Sequence, residues 1–177
     1  MTASSPTILL VDDSDNDALL MTIVFERAGF VQPLQMAKRG NEAVAYLRGD
    51  GPHADRARFP FPALVLLDLN MPGMNGFEVL AWIREQPALK QLPVHILSAS
   101  SRVNDRERAL QLGADSYLVK PTNLDGLMRL AHAISTWLRL HEALVEGGKS
   151  ALSSPSAVAT LAPFSVPTAD FTPKAPQ

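Results

Sequence analysis

Not one of the 177 residues is cysteine, which excludes disulfides and thiolate metal sites outright. Neither sign of charge dominates: 16 Lys and Arg against 18 Asp and Glu leave a formal net charge of −2. A protein of that balance lacks the basic footprint that a nucleic-acid backbone demands. No apolar stretch approaches the roughly 20 residues of a membrane span. The opening MTASSPTILLVDD has neither the basic segment nor the long apolar run of a signal peptide. No glycine-rich loop follows the first apolar run, so a nucleotide-cradling turn has no support. These absences leave the expectation of a cytoplasmic protein with no membrane and no nucleic-acid partner. Its length suits one domain with a tail.

What is there is an alternation. Ile8–Val11 forms a short apolar run, and the next segment places Leu20, Ile23 and Val24 on one helical face before Gly29. A weak second strand lies near Leu34–Ala37, and Asn41 is placed to cap a short helix through Arg48. The Gly- and Pro-rich stretch Gly49–Pro62 reads as a long polar loop. Ala63–Leu67 is apolar without alternation, the pattern of a strand covered on both faces. Gly76, Val79, Leu80 and Ile83 keep helical spacing up to Pro87. Val94–Leu97 and Tyr117–Val119 read as strands around a helix at Asn104–Leu112, and a last helix runs from about Asn123 to Glu146. Such alternation argues for right-handed βαβ units: an α/β fold with a parallel sheet and helices on both faces. Residues 1–5 read as an extension, 6–146 as the folded domain and 147–177, rich in Ala, Ser, Pro and Thr, as a disordered tail.

In an open parallel sheet, sites form beyond the carboxyl ends of the strands. Here the first strand ends in Asp12 and Asp13, the third in Asp68, the fourth in Ser98 and the fifth in Lys120 and Pro121. Three carboxylates brought together repel unless a cation sits among them. An oxygen-only set selects a hard ion such as Mg²⁺. A carboxylate is also a nucleophile toward phosphorus, and a lysine and a hydroxyl can neutralise and grip the phosphoryl oxygens. Taken singly, an Asp at a strand end is an ordinary helix cap and Lys-Pro an ordinary loop. Five such groups at successive strand ends make Asp68 the candidate phosphoacceptor. A phosphatase of the haloacid dehalogenase type shares the nucleophilic Asp, but needs a second carboxylate two residues later, where Asn70 stands.

ILLVDD, LLDLNMPGMNGFEVL around Asp68, SAS at Ser98 and GADSYLVKP ending in Lys120 resemble the receiver domains of response regulators, over about residues 6–145. The resemblance implies a flavodoxin-like, doubly wound sheet of five parallel strands in the order 2-1-3-4-5 with five helices. It implies a phosphoryl group taken from the histidine of a partner sensor kinase onto Asp68. Mg²⁺ would be held by Asp12, Asp13, Asp68 and the main-chain carbonyl of Asn70. A cis bond before Pro121 would aim Lys120. Ser98 and Tyr117 match the switch pair, with Tyr117 moving from an exposed to a buried position; a half-buried edge-strand aromatic is the plainer reading of Tyr117. The insert GDGPHADRARFPFP and the stretch NGFEVLAWIREQPALKQLPVHILSAS are similar to small regulators paired with phytochrome-type kinases. A phosphoacceptor rather than a conventional enzyme is expected, signalling through a changed protein-binding surface with no appended effector.

The last helix is nearly twice the usual three to four turns. Leu124, Leu127, Met128, Ala131, Ile134 and Leu138 form a core stripe; Leu130, Ala133, Trp137, Leu140 and Leu144 form a second, coiled-coil-like one. Either the core face is wide, or Leu130, Trp137, Leu140 and Leu144 meet a partner, most simply the same helix of a second copy in a homodimer. His53, His95, His132 and His141 show no metal-ligand spacing and read as structural or solvated.

Overall fold

The computed structural model describes residues 6–30 and 34–148, with side chains to residue 143. Strands and helices alternate as β1 (Ile8–Val11), α1 (Asp15–Arg27), β2 (Gln35–Ala37), α2 (Gly40–Arg48), β3 (Leu64–Leu67), α3 (Gly76–Glu85), β4 (Val94–Ser98), α4 (Val103–Gln111), β5 (Ser116–Val119) and α5 (Leu124–Gly148). The sheet order is β2-β1-β3-β4-β5, and every pairing is parallel. This is the expected flavodoxin-like arrangement.

Every residue of β1, β3 and β4 is buried, which is why these strands show no polar alternation. Leu9, Val11, Val65, Leu67, Val94 and Ile96 point to one face and pack with Tyr46, Leu80, Ile83 and Ala109 of α2, α3 and α4. Ile8, Leu10, Leu64, Leu66 and Leu97 point to the other and pack with Val24 and Phe25 of α1 and Ala131, Ile134 and Leu138 of α5. The central strands are thereby clamped from both sides, so their C-terminal ends are fixed points.

Local chemistry departs from the sequence reading in several places. α1 buries Met21, Val24 and Phe25, whereas Leu20 is exposed and Ile23 half-buried. The segment is apolar almost all round, so helical period alone could not fix its phase. Asn41 does not cap α2: Arg39 occupies that position without a side-chain bond, and the Glu42 carboxylate accepts the Lys38 N–H at 2.7 Å. The polar insert is tied down. Arg56 donates to the carbonyls of Tyr46 (2.9 Å) and Leu47 (3.0 Å), closing the open C-terminus of α2. Tyr46 donates its hydroxyl to the Pro60 carbonyl at 2.7 Å, and the rings of His53 and Phe59 pack against it.

α5 corrects the reading of its stripes. Leu130 is buried in the molecule's own core and belongs to no partner face. Leu124, placed in the core stripe by spacing, is 45% exposed. Trp137 is half-buried, 4.6 Å from the His95 ring and stacked on His141 at 4.8 Å. Leu140 is 54% exposed. The side chain of Leu144, the extension 1–5 and residues 149–177 of the tail lie outside the described residues, while Gly147 and Gly148 continue the helix. Among the described residues no helix is long and apolar enough to cross a membrane.

Candidate phosphoacceptor site

Parallel register does the assembly. Val11 lies beside Leu67 and Ser98 beside Val119, so the residues that follow emerge together at one sheet edge. The ladder continues past the strands: the Asp68 N–H reaches the Val11 carbonyl at 2.9 Å, and the Lys120 N–H reaches that of Ser98 at 2.8 Å. Asp12 and Asp68 are buried and Asp13 is exposed, yet one oxygen of each lies within 4.8 Å of the others. Among the described residues this is the one grouping that could hold a metal ion.

Lys120 joins the cluster from β5. Its Nζ donates to Asp12 Oδ2 at 2.7 Å, Asp17 Oδ2 at 2.9 Å and Asp68 Oδ2 at 3.4 Å. The backbone orients the acids: Asp12 Oδ1 accepts the Ser14 N–H at 3.0 Å, and Asp68 Oδ1 accepts those of Leu69 (2.7 Å) and Asn70 (3.4 Å). Asp68 is therefore anchored at one oxygen with the other turned to the ammonium.

Burial holds the Asp12 carboxyl above its ordinary range, with the Asp68 charge adding to that; Lys120 and the Ser14 N–H oppose it without cancelling it. Burial pushes the Lys120 ammonium down, but the bonds to Asp12 and Asp17 and the charges of Asp68 and Asp12 outweigh it, so it stays charged at all working pH values. One ammonium among four carboxylates leaves the edge strongly negative. Oxygen donors in that setting suit a hard divalent cation, and the three clustered acids fit one.

Ser98 is fully buried, and its hydroxyl oxygen accepts the Ser100 N–H at 3.2 Å. Tyr117 is half-buried against the α2–α4 core, its hydroxyl donating to the Ser100 carbonyl at 2.8 Å. That is the half-buried position of an edge-strand aromatic. The bond before Pro121 is a second departure: no described peptide bond is cis. The trans form is favoured before proline by about 0.5–1 kcal/mol, and from it Lys120 already reaches three carboxylates.

Sequence reasoning missed Asp17. It stands in the first turn of α1, where acids are common because they complement the helix dipole, and that ordinary explanation hid it. The available signal was its spacing, one turn beyond Asp13. Of the histidines, His95 is buried in β4, His53 lies in the insert cluster, His132 bonds its own helix through the Met128 carbonyl, and His141 stacks on Trp137.

Comparison with known proteins agrees with this geometry. Residues 8–132 match the response regulator receiver domain family. The chain is 37% identical over 132 residues to the probable methanogenesis regulatory protein FilR2 of Methanothrix harundinacea, covering 74% of this chain and 83% of the relative. It is also 37% identical over 132 residues to the response regulator Rcp1 of Synechocystis sp., covering 74% and 88%. The Mn²⁺-bound form of Rcp1 superposes with a TM-score of 0.67 at 36% identity, over 75% of this chain and 94% of that one. The phosphorylated cyanobacterial phytochrome response regulator RcpA gives a TM-score of 0.70 at 33% identity, over 77% and 95%. With that sheet order and that acid cluster, the chain belongs to the response regulator receiver domain family.

Proposed function

We propose that this protein is a cytoplasmic phosphorylation switch of a two-component pathway, accepting a phosphoryl group on Asp68 from the histidine of a partner sensor kinase. The observation that carries the reading is Asp68 itself, anchored by two backbone N–H groups at one oxygen and facing Lys120 with the other. The free carboxylate oxygen forms the new O–P bond as the P–N bond of the donor phosphohistidine breaks. The electron pair stays on the departing imidazole nitrogen. Lys120 meets charge on the phosphoryl oxygens, and Ser98 is placed at the end of β4 to grip one of them. Asp12, Asp13, Asp68 and the Asn70 main-chain carbonyl would hold Mg²⁺, which would supply further neutralisation of those oxygens. The protein takes part in its own phosphorylation and dephosphorylation and does not act as a conventional enzyme. Likeness to the phytochrome response regulator RcpA supports a phytochrome-type sensor kinase as the donor.

Intact mass after treatment with a small phosphodonor tests this. Wild type with Mg²⁺ gains one phosphoryl group; Asp68→Asn, or wild type in chelator, gains none. A gain in Asp68→Asn would falsify the assignment.

The output is assigned to a protein-binding surface, and the far half of α5 to a homodimer contact. The exposed Leu140 next to the half-buried Trp137 supports that assignment. Leu140→Glu should lower the sedimentation coefficient from a dimer's to a monomer's. An unchanged value removes this contact from consideration.

A further inference from the structure

We infer that Asp17 is a positioning residue of this site: together with Asp12 it clamps the Lys120 ammonium so that the third ammonium proton faces Asp68. The inference rests on Asp68 being the phosphoacceptor. A lysine side chain carries about 2 kcal/mol of rotamer entropy on a flexible four-carbon stem. Aiming it at a transferring phosphoryl group therefore needs more than one anchor. Here the two short bonds, 2.7 Å to Asp12 and 2.9 Å to Asp17, come from different elements, the end of β1 and the first turn of α1. The third, 3.4 Å to Asp68 Oδ2, is the loosest. It is also the one aimed where a phosphoryl group on Asp68 would extend.

Asp12 alone is a poor anchor, because its carboxylate also belongs to the three-acid cluster and would share its charge with any cation there. Asp17 is outside that cluster, so its hold on Lys120 does not depend on the metal. Its backbone is fixed as well: the Asp17 N–H donates to the Ser14 hydroxyl at 3.2 Å, the N-cap bond of α1. A general acidic effect on the helix dipole is a weaker account of it. Asp15 supplies that charge in the same turn, and its carboxylate pairs with Lys38 at 2.6 Å, not with Lys120.

The test uses beryllofluoride with Mg²⁺ as a phosphoryl mimic, titrated by calorimetry into the full chain, with Mg²⁺ affinity measured separately. Asp17→Ala should weaken beryllofluoride binding about tenfold, the scale of a lost hydrogen bond to a charged group. Mg²⁺ affinity should stay within about twofold, and Asp15→Ala should change neither. In a Lys120→Ala background, Asp17→Ala should add nothing, because Asp17 acts through that ammonium. Asp17→Asn, which keeps the shape and an acceptor oxygen, should fall between wild type and Asp17→Ala; it also serves if the alanine variant folds poorly. Equal or tighter binding by Asp17→Ala and Asp17→Asn overturns the inference, since relief of negative charge would then outweigh positioning. So does an undiminished loss in the Lys120→Ala background. A wild type that binds no beryllofluoride, and gains no phosphoryl mass, overturns the Asp68 reading and this inference with it.

Discussion

Gly76→Ala is expected to melt about 10 °C below wild type and to take up phosphoryl groups about a hundredfold more slowly. Gly76 opens α3, inside the Asn75–Glu78 capping box. Its backbone is not left-handed, so what the position demands is room. A methyl group there would overlap the main-chain carbonyl oxygen of Asp68 and come within 2.8 Å of the Leu69 Cα. Both are backbone, and Asp68 leaves a buried strand, so neither neighbour can swing aside as a side-chain end would. Overpacking of this kind costs about 1–3 kcal/mol, and the upper figure fits a contact with no flexible partner. The damage falls on the reacting group because the displaced peptide carries Asp68. The Gly76 N–H also donates to the Leu69 carbonyl at 3.1 Å, closing the loop whose N–H groups orient Asp68. A displacement of about 1 Å suffices for a hundredfold rate loss. Thermal unfolding and timed intact-mass measurements check both parts. A variant with unchanged melting and unchanged uptake would show that the loop yields.

The fold was legible because its signals are redundant. β1, β3 and β4 are unbroken apolar runs, and the polar residues that end them fall where a parallel sheet gathers side chains. Asp12, Asp13, Asp68 and Lys120 could be placed together from that rule alone, and the structure brings them together. Less legible was anything set by packing against a neighbour. The buried face of α1 could not be chosen from LLMTIVF, where nearly every residue is apolar; the choice is made by contact with α5. Leu130 repeats the lesson, since its spacing fits an outer stripe but the helix's rotation turns it inward.

Long-range polar contacts were invisible for a different reason. Nothing local in Arg56 announces that it will satisfy the end of α2, and the spacing of Asp17 from Asp13 hints at the acid cluster without naming a lysine 103 residues away. Such contacts depend on two elements being placed correctly first. The bond before Pro121 shows the limit of resemblance: the expected cis geometry is absent, while the lysine it was meant to aim is in place.

His95 should make the protein acid-sensitive well above the range in which ordinary carboxylates titrate. Val94 and Ile96 face the α2–α4 core, so strand alternation sends His95 to the opposite face, toward α5. There it is 7% exposed, with its ring against Trp137. Burial, opposed by the Asp115 charge and reinforced by the smaller influence of His141, lowers its pKa to about 4. The unfolded chain binds this proton near the ordinary value of 6.5, the folded chain only near 4. Stability from keeping the ring neutral is therefore complete above about pH 6.5 and is lost as pH falls from there toward 4. The full span corresponds to about 3 kcal/mol, of which about 2 kcal/mol disappears between pH 7 and pH 4.5. Urea unfolding of wild type and His95→Leu at those two pH values isolates the effect, because carboxylates elsewhere contribute equally to both. Wild type should lose about 2 kcal/mol more than the variant over that interval. Equal losses would mean that the folded chain accepts the proton without strain, with the ring and the neighbouring turn of α5 moving apart to admit water. The site has reason to feel the difference, since β4 carries His95 only three residues before Ser98. A charge forced into that strand's α5 face would press on the same rigid element that positions the hydroxyl.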